Sequence, residues 1–109
     1  MSHIEKIDSD LEVLKEIILD NVPTDQIWLF GSYAYGTPHK YSDIDIYIVM
    51  KDDANMRETE AMTAVNTERC TKVFKPVDVL ASKKNRFLHK QSGRTLENTI
   101  VKKGIKIYG

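Results

Sequence analysis

Ile4, Ile7, Leu11, Leu14, Ile17 and Ile18 recur at three- and four-residue intervals, with Glu12, Lys15 and Glu16 between them. That spacing predicts a helix from residue 4 to about residue 20 with one apolar stripe. Pro23, in Asn21-Val22-Pro23-Thr24, ends it, because proline cannot continue a helix. Gln26-Ile27-Trp28-Leu29-Phe30 is a short apolar run closed by Gly31 and reads as a buried strand. From Tyr41 onward, Asp43 to Met50 is β-branched and aromatic, which predicts a second strand.

Asn55-Met56-Arg57-Glu58 has the spacing of a capping box, so a helix is expected from there to about Cys70. Lys72 to Leu80 is expected to be a third strand, paired with the second. Ser82 is a candidate cap for a helix over Lys83 to about His89. A further helix runs from about Thr95 to Lys103, with Gly104 as a left-handed stop. Ile105-Lys106-Ile107-Tyr108 alternates and reads as an edge strand. The sum is an α+β fold: a small mixed sheet with helices against one face, in a single domain over residues 1–109.

Charged residues make up 29% of the chain and hydrophobic ones 41%, proportions of a globular and not a disordered protein. Sixteen Lys+Arg balance sixteen Asp+Glu, so charge alone does not equip the chain to grip long nucleic acid. The one cysteine, Cys70, excludes an internal disulfide or a cysteine-based zinc site. No apolar run reaches the roughly 20 residues of a membrane span, and no apolar signal core follows Met1. These features predict a reduced, cytoplasmic protein without membrane association. His3, His39 and His89 have no ligand-like spacing.

Three short stretches carry the candidate chemistry. Gly31-Ser32-Tyr33-Ala34-Tyr35-Gly36 follows the first strand. A strand ending in Gly-Ser before a helical turn presents backbone N–H groups and a hydroxyl, a phosphate-binding arrangement; it serves equally as a plain strand–turn connection. No Gly-Lys-Ser/Thr follows, so this is not a Walker A loop. Ser42-Asp43-Ile44-Asp45 opens the second strand, and residues i and i+2 of a strand share a face about 6.5–7 Å apart. Two carboxylates so placed repel by roughly 2.5 kcal/mol unless water or a cation separates them. Mg²⁺ suits such a set of oxygen ligands, whereas a lone Asp-x-Asp is more often a solvated strand face. Asp78 lies between Val77 and Val79, where a carboxylate needs a partner, a metal or a proton.

Taken together, Gly31-Ser32, ten residues, Asp43-x-Asp45 and a third acid on a later strand resemble the nucleotidyltransferases of the DNA polymerase β superfamily. The wording Ser42-Asp43-Ile44-Asp45-Ile46 and the small size are most similar to the minimal (MNT) branch. The resemblance covers Ile27 to Leu80 and extends to the Ile100–Tyr108 tail, where Gly104-Ile105-Lys106-Ile107-Tyr108 is similar to the closing segment of that branch. It implies a palm-like sheet flanked by helices that holds a nucleoside triphosphate, with ATP expected, and two Mg²⁺ ions. By that likeness Asp43, Asp45 and Asp78 ligate metal and are catalytic, while Gly31, Ser32, Gly36 and Ser42 bind the nucleotide. The reaction would be in-line attack of a hydroxyl on the α-phosphorus with release of pyrophosphate.

One departure stands out: Tyr35 occupies a position where many minimal members carry an arginine. Lys40, Lys84 and Arg86 are the candidates to supply the missing positive charge. Larger relatives bind the acceptor with a helical domain that this stretch lacks. A second copy of the chain or a separate helical protein would complete the site. Minimal members are often the antitoxin partner of a helical HEPN protein, which implies transfer of AMP to a protein hydroxyl. The competing expectations are a non-catalytic module that neutralises its partner by contact, and a nucleotidyltransferase for small molecules. Template-directed or RNA-tailing polymerisation fits the neutral charge least.

Overall fold

The computed structural model describes residues 7–38 and 42–109; His3, Ile4, His39, Lys40 and Tyr41 lie outside the described residues. The elements run α1 (Asp8–Asn21), β1 (Thr24–Phe30), α2 (Ser32–Tyr35), β2 (Ile44–Met50), α3 (Glu58–Arg69), β3 (Val77–Lys83), α4 (Lys84–Lys90), α5 (Leu96–Lys103) and β4 (Ile105–Tyr108). The four strands form one sheet in the order β3-β2-β1-β4. β1 is antiparallel to both β2 and β4, and β2 is parallel to β3. A parallel pair needs a crossover, and α3 supplies it. The sheet is therefore mixed, as expected, with β4 at one edge.

α1 forms because its stripe is continuous: Leu11, Leu14, Ile17 and Ile18 are all buried. Burying each such side chain contributes about 1.5–3 kcal/mol. Asp8 and Asp10 sit in its first turn, favourable to the helix dipole. The Val22 N–H closes the helix on the Ile18 carbonyl at 2.8 Å, just before Pro23. β2 is buried on both sides apart from Asp45, as befits a central strand. The total accessible surface, 6,407 Å², is close to the roughly 6,200 Å² expected for this mass.

Helices cover both faces of the sheet, not one. The larger core joins α1 and α3 (Ala61, Val65) to Ile27, Leu29, Ile44, Ile46, Ile48 and Met50. The second core joins Phe87 of α4 and Ile100 of α5 to Phe30, Tyr47 and Val49. Because strand residues alternate faces, the Asp45–Tyr47–Val49 side of β2 had to find cover of its own. α4 and α5, both short, provide it through Phe87 and Ile100.

Four local expectations are corrected. α3 begins at Glu58, so the Asn55–Glu58 spacing is not its cap; Glu60 Oε1 instead accepts from the Arg57 backbone N–H at 3.2 Å. Glu58 is diverted to the start of α4, accepting from the Lys83 N–H at 3.1 Å and from Arg86 at 3.1 Å. β3 starts at Val77, not Lys72, because the Lys72 and Val73 N–H groups wrap back onto the Arg69 carbonyl. Ser82 caps nothing: it is buried in β3, its Oγ 2.7 Å from the Tyr47 hydroxyl. Gly104 is extended, not left-handed (φ −72°, ψ 173°). It is glycine for space, since a Cβ would lie 2.6 Å from the Ile100 carbonyl and 3.0 Å from that of Leu29.

The Tyr47 hydroxyl also donates to Glu97 Oε2 at 2.8 Å, tying β2, β3 and α5 together in the interior. Burial, chiefly, pushes the Tyr47 phenol up, with its bond to Ser82 opposing and its bond to Glu97 adding. Tyr47→Phe leaves the buried Glu97 carboxylate without its donor, and is expected to cost about 1–3 kcal/mol in denaturant unfolding. Gly104→Ala meets backbone atoms that cannot step aside, and is expected to cost a further, independent 1–3 kcal/mol or so by the same measurement.

Candidate active site

β1 ends at Phe30, and Gly31 turns the chain into the single helical turn of α2. Gly31 has φ +74° and ψ −163°, a region open essentially to glycine alone. A Cβ there would also overlap the Oδ2 of Asp45. The residue is therefore glycine twice over, for its backbone and for the carboxylate against it. Ala34 and Tyr35 donate their N–H groups to the Gly31 carbonyl at 3.1 and 3.0 Å. The N–H groups of Ser32 and Tyr33, at the start of this turn, have no place in the helical ladder. Gly36, at φ +81°, is the left-handed C-cap and lets the chain turn away.

Across the sheet, Phe30 pairs with Asp45, and Asp45 pairs with Asp78 in the parallel β2–β3 ladder. Paired residues on adjacent strands share a face about 4.8 Å apart. Asp43 stands one residue before β2, on the same alternation as Asp45. The ladder continues onto the connecting loop, where the Ile44 N–H donates to the Pro76 carbonyl at 2.9 Å. Asp43 and Asp78 are exposed, Asp45 is half-buried, and Ser42 is buried beside them. The three acids expected from the sequence thus come to one face, beside the Gly31-Ser32 turn.

Their mutual repulsion is visible in Asp45. Burial, then the charge of Asp78, then that of Asp43, pushes its carboxyl up from 3.8 to about 6. Among the described residues no three acidic, histidine or cysteine side chains converge tightly enough to make a ready metal cage. That is compatible with Mg²⁺, which usually takes one or two carboxylates and completes its shell with water and substrate phosphates. The donor set is all oxygen, and a cation at Asp45 would relieve the repulsion there. The residues fit the ion.

The structure does not bring Lys84 or Arg86 to this site. Lys84 lies 3.8 Å from Asp25, at the opposite end of β1 from Gly31, and Arg86 is paired with Glu58. Lys40 is outside the described residues. Tyr33 is a core residue, whereas Tyr35 is exposed. Sequence reasoning missed the neighbouring cavity of about 280 Å³ on the same strands, lined by Tyr47, Leu80, Ser82, Lys90 and Glu97 among others. Leu80 separates it from Asp78 along β3. Glu97 stands in the first turn of α5, and only its burial distinguishes it from a solvent-facing helix acid.

With this geometry in view, likeness to known proteins becomes decisive. The nucleotidyltransferase domain family matches residues 11–106. The chain belongs to that family. Over 38 residues it is 50% identical to the protein adenylyltransferase MntA of Shewanella oneidensis, a match covering 34% of this chain and 27% of that relative. The matched stretch is thus about a quarter of the relative's length. A crystal structure of a mutant of the toxin–antitoxin MntA-HpeT superposes with a TM-score of 0.64 at 23% identity, over 90% of this chain and 72% of that one. A toxin–antitoxin structure with AMP-PNP gives 0.62 at 23% identity, over 88% and 70% respectively. The α+β fold of this nucleotidyltransferase domain, with its mixed four-stranded sheet, is the fold of those proteins. No helix among the described residues is long and apolar enough to cross a membrane.

The raised Asp45 value makes a stability prediction for this nucleotidyltransferase domain. Below about pH 4 Asp45 is protonated folded and unfolded alike; as pH climbs toward about 6 the unfolded chain ionises first, so the fold loses stability. Asp45→Asn removes that loss. Because Asp45 is half in solvent, the gain is expected on the order of 1 kcal/mol near neutral pH and to vanish in acid. Denaturant midpoints of the two proteins across this range check it.

Proposed function

We propose that the protein is a cytoplasmic, Mg²⁺-dependent nucleotidyltransferase that moves AMP from ATP to a hydroxyl of a helical, HEPN-type partner protein. The observation that carries the reading is the contact between the two halves of the site: the Gly31 backbone lies directly against Asp45, whose neighbours are Asp43 and Asp78. A phosphate-binding turn and a cation-binding acidic face are useful together only to a substrate that is both phosphorylated and metal-bound. The likeness to a protein adenylyltransferase and to a toxin–antitoxin with AMP-PNP supports ATP as donor and a protein as acceptor.

In this reading Asp43 and Asp45 hold Mg²⁺ with Asp78, and the bound ion supplies charge neutralisation to the attacking and leaving oxygens of an in-line displacement. Gly31 and Ser32 place the β- and γ-phosphates through backbone N–H groups and the Ser32 hydroxyl. Gly36 sets the exit of that turn, and Ser42, buried just before β2, completes the nucleotide-binding set. Asp78, exposed and one strand over, faces the acceptor and orients its hydroxyl toward the α-phosphorus. Holding the reactants in line is the main contribution of so small a site. The partner protein, or a second copy of the chain, completes the acceptor side.

Incubation with α-phosphate-labelled ATP and Mg²⁺ in host lysate is expected to label one protein band. Asp45→Asn, folded and at least as stable, is expected to abolish that label. A partner neutralised equally well by Asp45→Asn protein at normal abundance would instead establish the contact-only module. Label on a small molecule alone would move the acceptor to that class.

A further inference from the structure

The zero net charge conceals a division. Residues 1–82 hold eight Lys/Arg and fifteen Asp/Glu, a net −7; residues 83–109 hold eight Lys/Arg and one Asp/Glu, a net +7. The basic segment is α4, α5 and β4, and its two helices cover the same face of the sheet as Asp45. A nucleoside triphosphate brought to three carboxylates needs positive charge from the protein as well as from metal. Tyr35 cannot supply it, Lys84 and Arg86 are paired at the far end of the sheet, and Lys40 lies outside the described residues.

The register of β4 shows what stands in their place. Ile105 pairs with Leu29 and Tyr108 with Ile27, so moving back along β4 is moving forward along β1 toward Gly31. Gly104 packs against the Leu29 carbonyl, and Ile100 lies in the second core with Phe30, the partner of Asp45. The last turn of α5 is thereby held beside the Gly31 end of β1, on the side away from Asp78. Lys102 and Lys103 occupy that turn, both exposed and neither in an ion pair among the described residues.

We propose that Lys102 and Lys103 bind the β- and γ-phosphates of the incoming nucleoside triphosphate, opposite the acidic face and across the Gly31-Ser32 turn. This rests on the nucleotidyltransferase reading above and assigns the charge that reading lacks. Flexible ammonium groups on four-carbon stems can follow a phosphate chain where no rigid guanidinium is available. The polyphosphate would lie between the acids, which take its cations, and the lysines, which take its anionic oxygens. The competing structural role is compensation of the α5 dipole, which would affect stability but not discriminate between nucleotides.

Calorimetric titration with AMP-PNP and with AMP, both with Mg²⁺, separates these roles. For Lys102→Ala/Lys103→Ala the expected result is affinity for AMP-PNP lower by about ten- to a hundredfold, with AMP affected less than about threefold. Lys102→Arg/Lys103→Arg is expected to restore most of the loss. Lys51→Glu, at the far end of β2 and about two Debye lengths away, is expected to leave both affinities unchanged. Unaltered AMP-PNP affinity in the folded double alanine variant, even with transfer reduced, would overturn the proposal, as would equal loss for both nucleotides. Wild-type protein that binds no nucleoside triphosphate would instead overturn the nucleotidyltransferase reading itself, and the lysine assignment with it.

Discussion

Asp45 is held against its own electrostatics. It is half-buried, one ladder step from Asp78 and two residues from Asp43, and its carboxyl is pushed up to about 6 as a result. No local preference would choose that position. It persists because the parallel β2–β3 register is imposed by seven paired positions, most of them apolar and deeply packed. The neighbouring β1–β2 register, which sets Phe30 opposite Asp45, admits Gly31 and nothing larger at the end of β1. Backbone, glycine and carboxylates therefore form one unit, and each makes sense only with the others present.

Two cores maintain that register from opposite sides. The face carrying Ile44, Ile46 and Ile48 is covered by α1 and α3, an ordinary apolar contact. The face carrying Asp45 changes character along its length. It is acidic at the site, then aromatic at Tyr47 and Phe87, whose rings lie 5.3 Å apart, then apolar at Val49. The Tyr47–Ser82–Glu97 hydrogen bonds stand at this transition and fasten β2, β3 and α5 where the acids would otherwise favour separation. A fully satisfied buried polar group is specific in a way that apolar packing is not.

Charge is divided along the chain, with an excess of acids over residues 1–82 and of bases over residues 83–109, the stretch of α4, α5 and β4. Segregation of this sort is invisible in net charge, which is why neutrality alone says so little about anionic ligands.

Much of this was legible along the chain. The stripe of α1, the runs of β1 and β2 and the edge strand β4 are short-range patterns set by side-chain period, whereas Gly31, Asp43, Asp45 and Asp78 were grouped by their resemblance to a family motif. What local reading missed depended on partners distant in sequence. Ser82 had the chemistry of a cap, but Tyr47, 35 residues away, claimed its hydroxyl. Gly104 looked like a left-handed stop, yet it is the Leu29 carbonyl that excludes a side chain there. Glu58 had the place of a capping acid and was taken instead by Lys83 and Arg86. Whether helices would cover one face or both was likewise undecided until α4 and α5 met Phe30, Tyr47 and Val49. Period and conformational preference are properties of neighbouring residues, and so can be read from them; hydrogen-bond partners, close backbone approaches and the distribution of charge in space come into being only when the chain closes on itself.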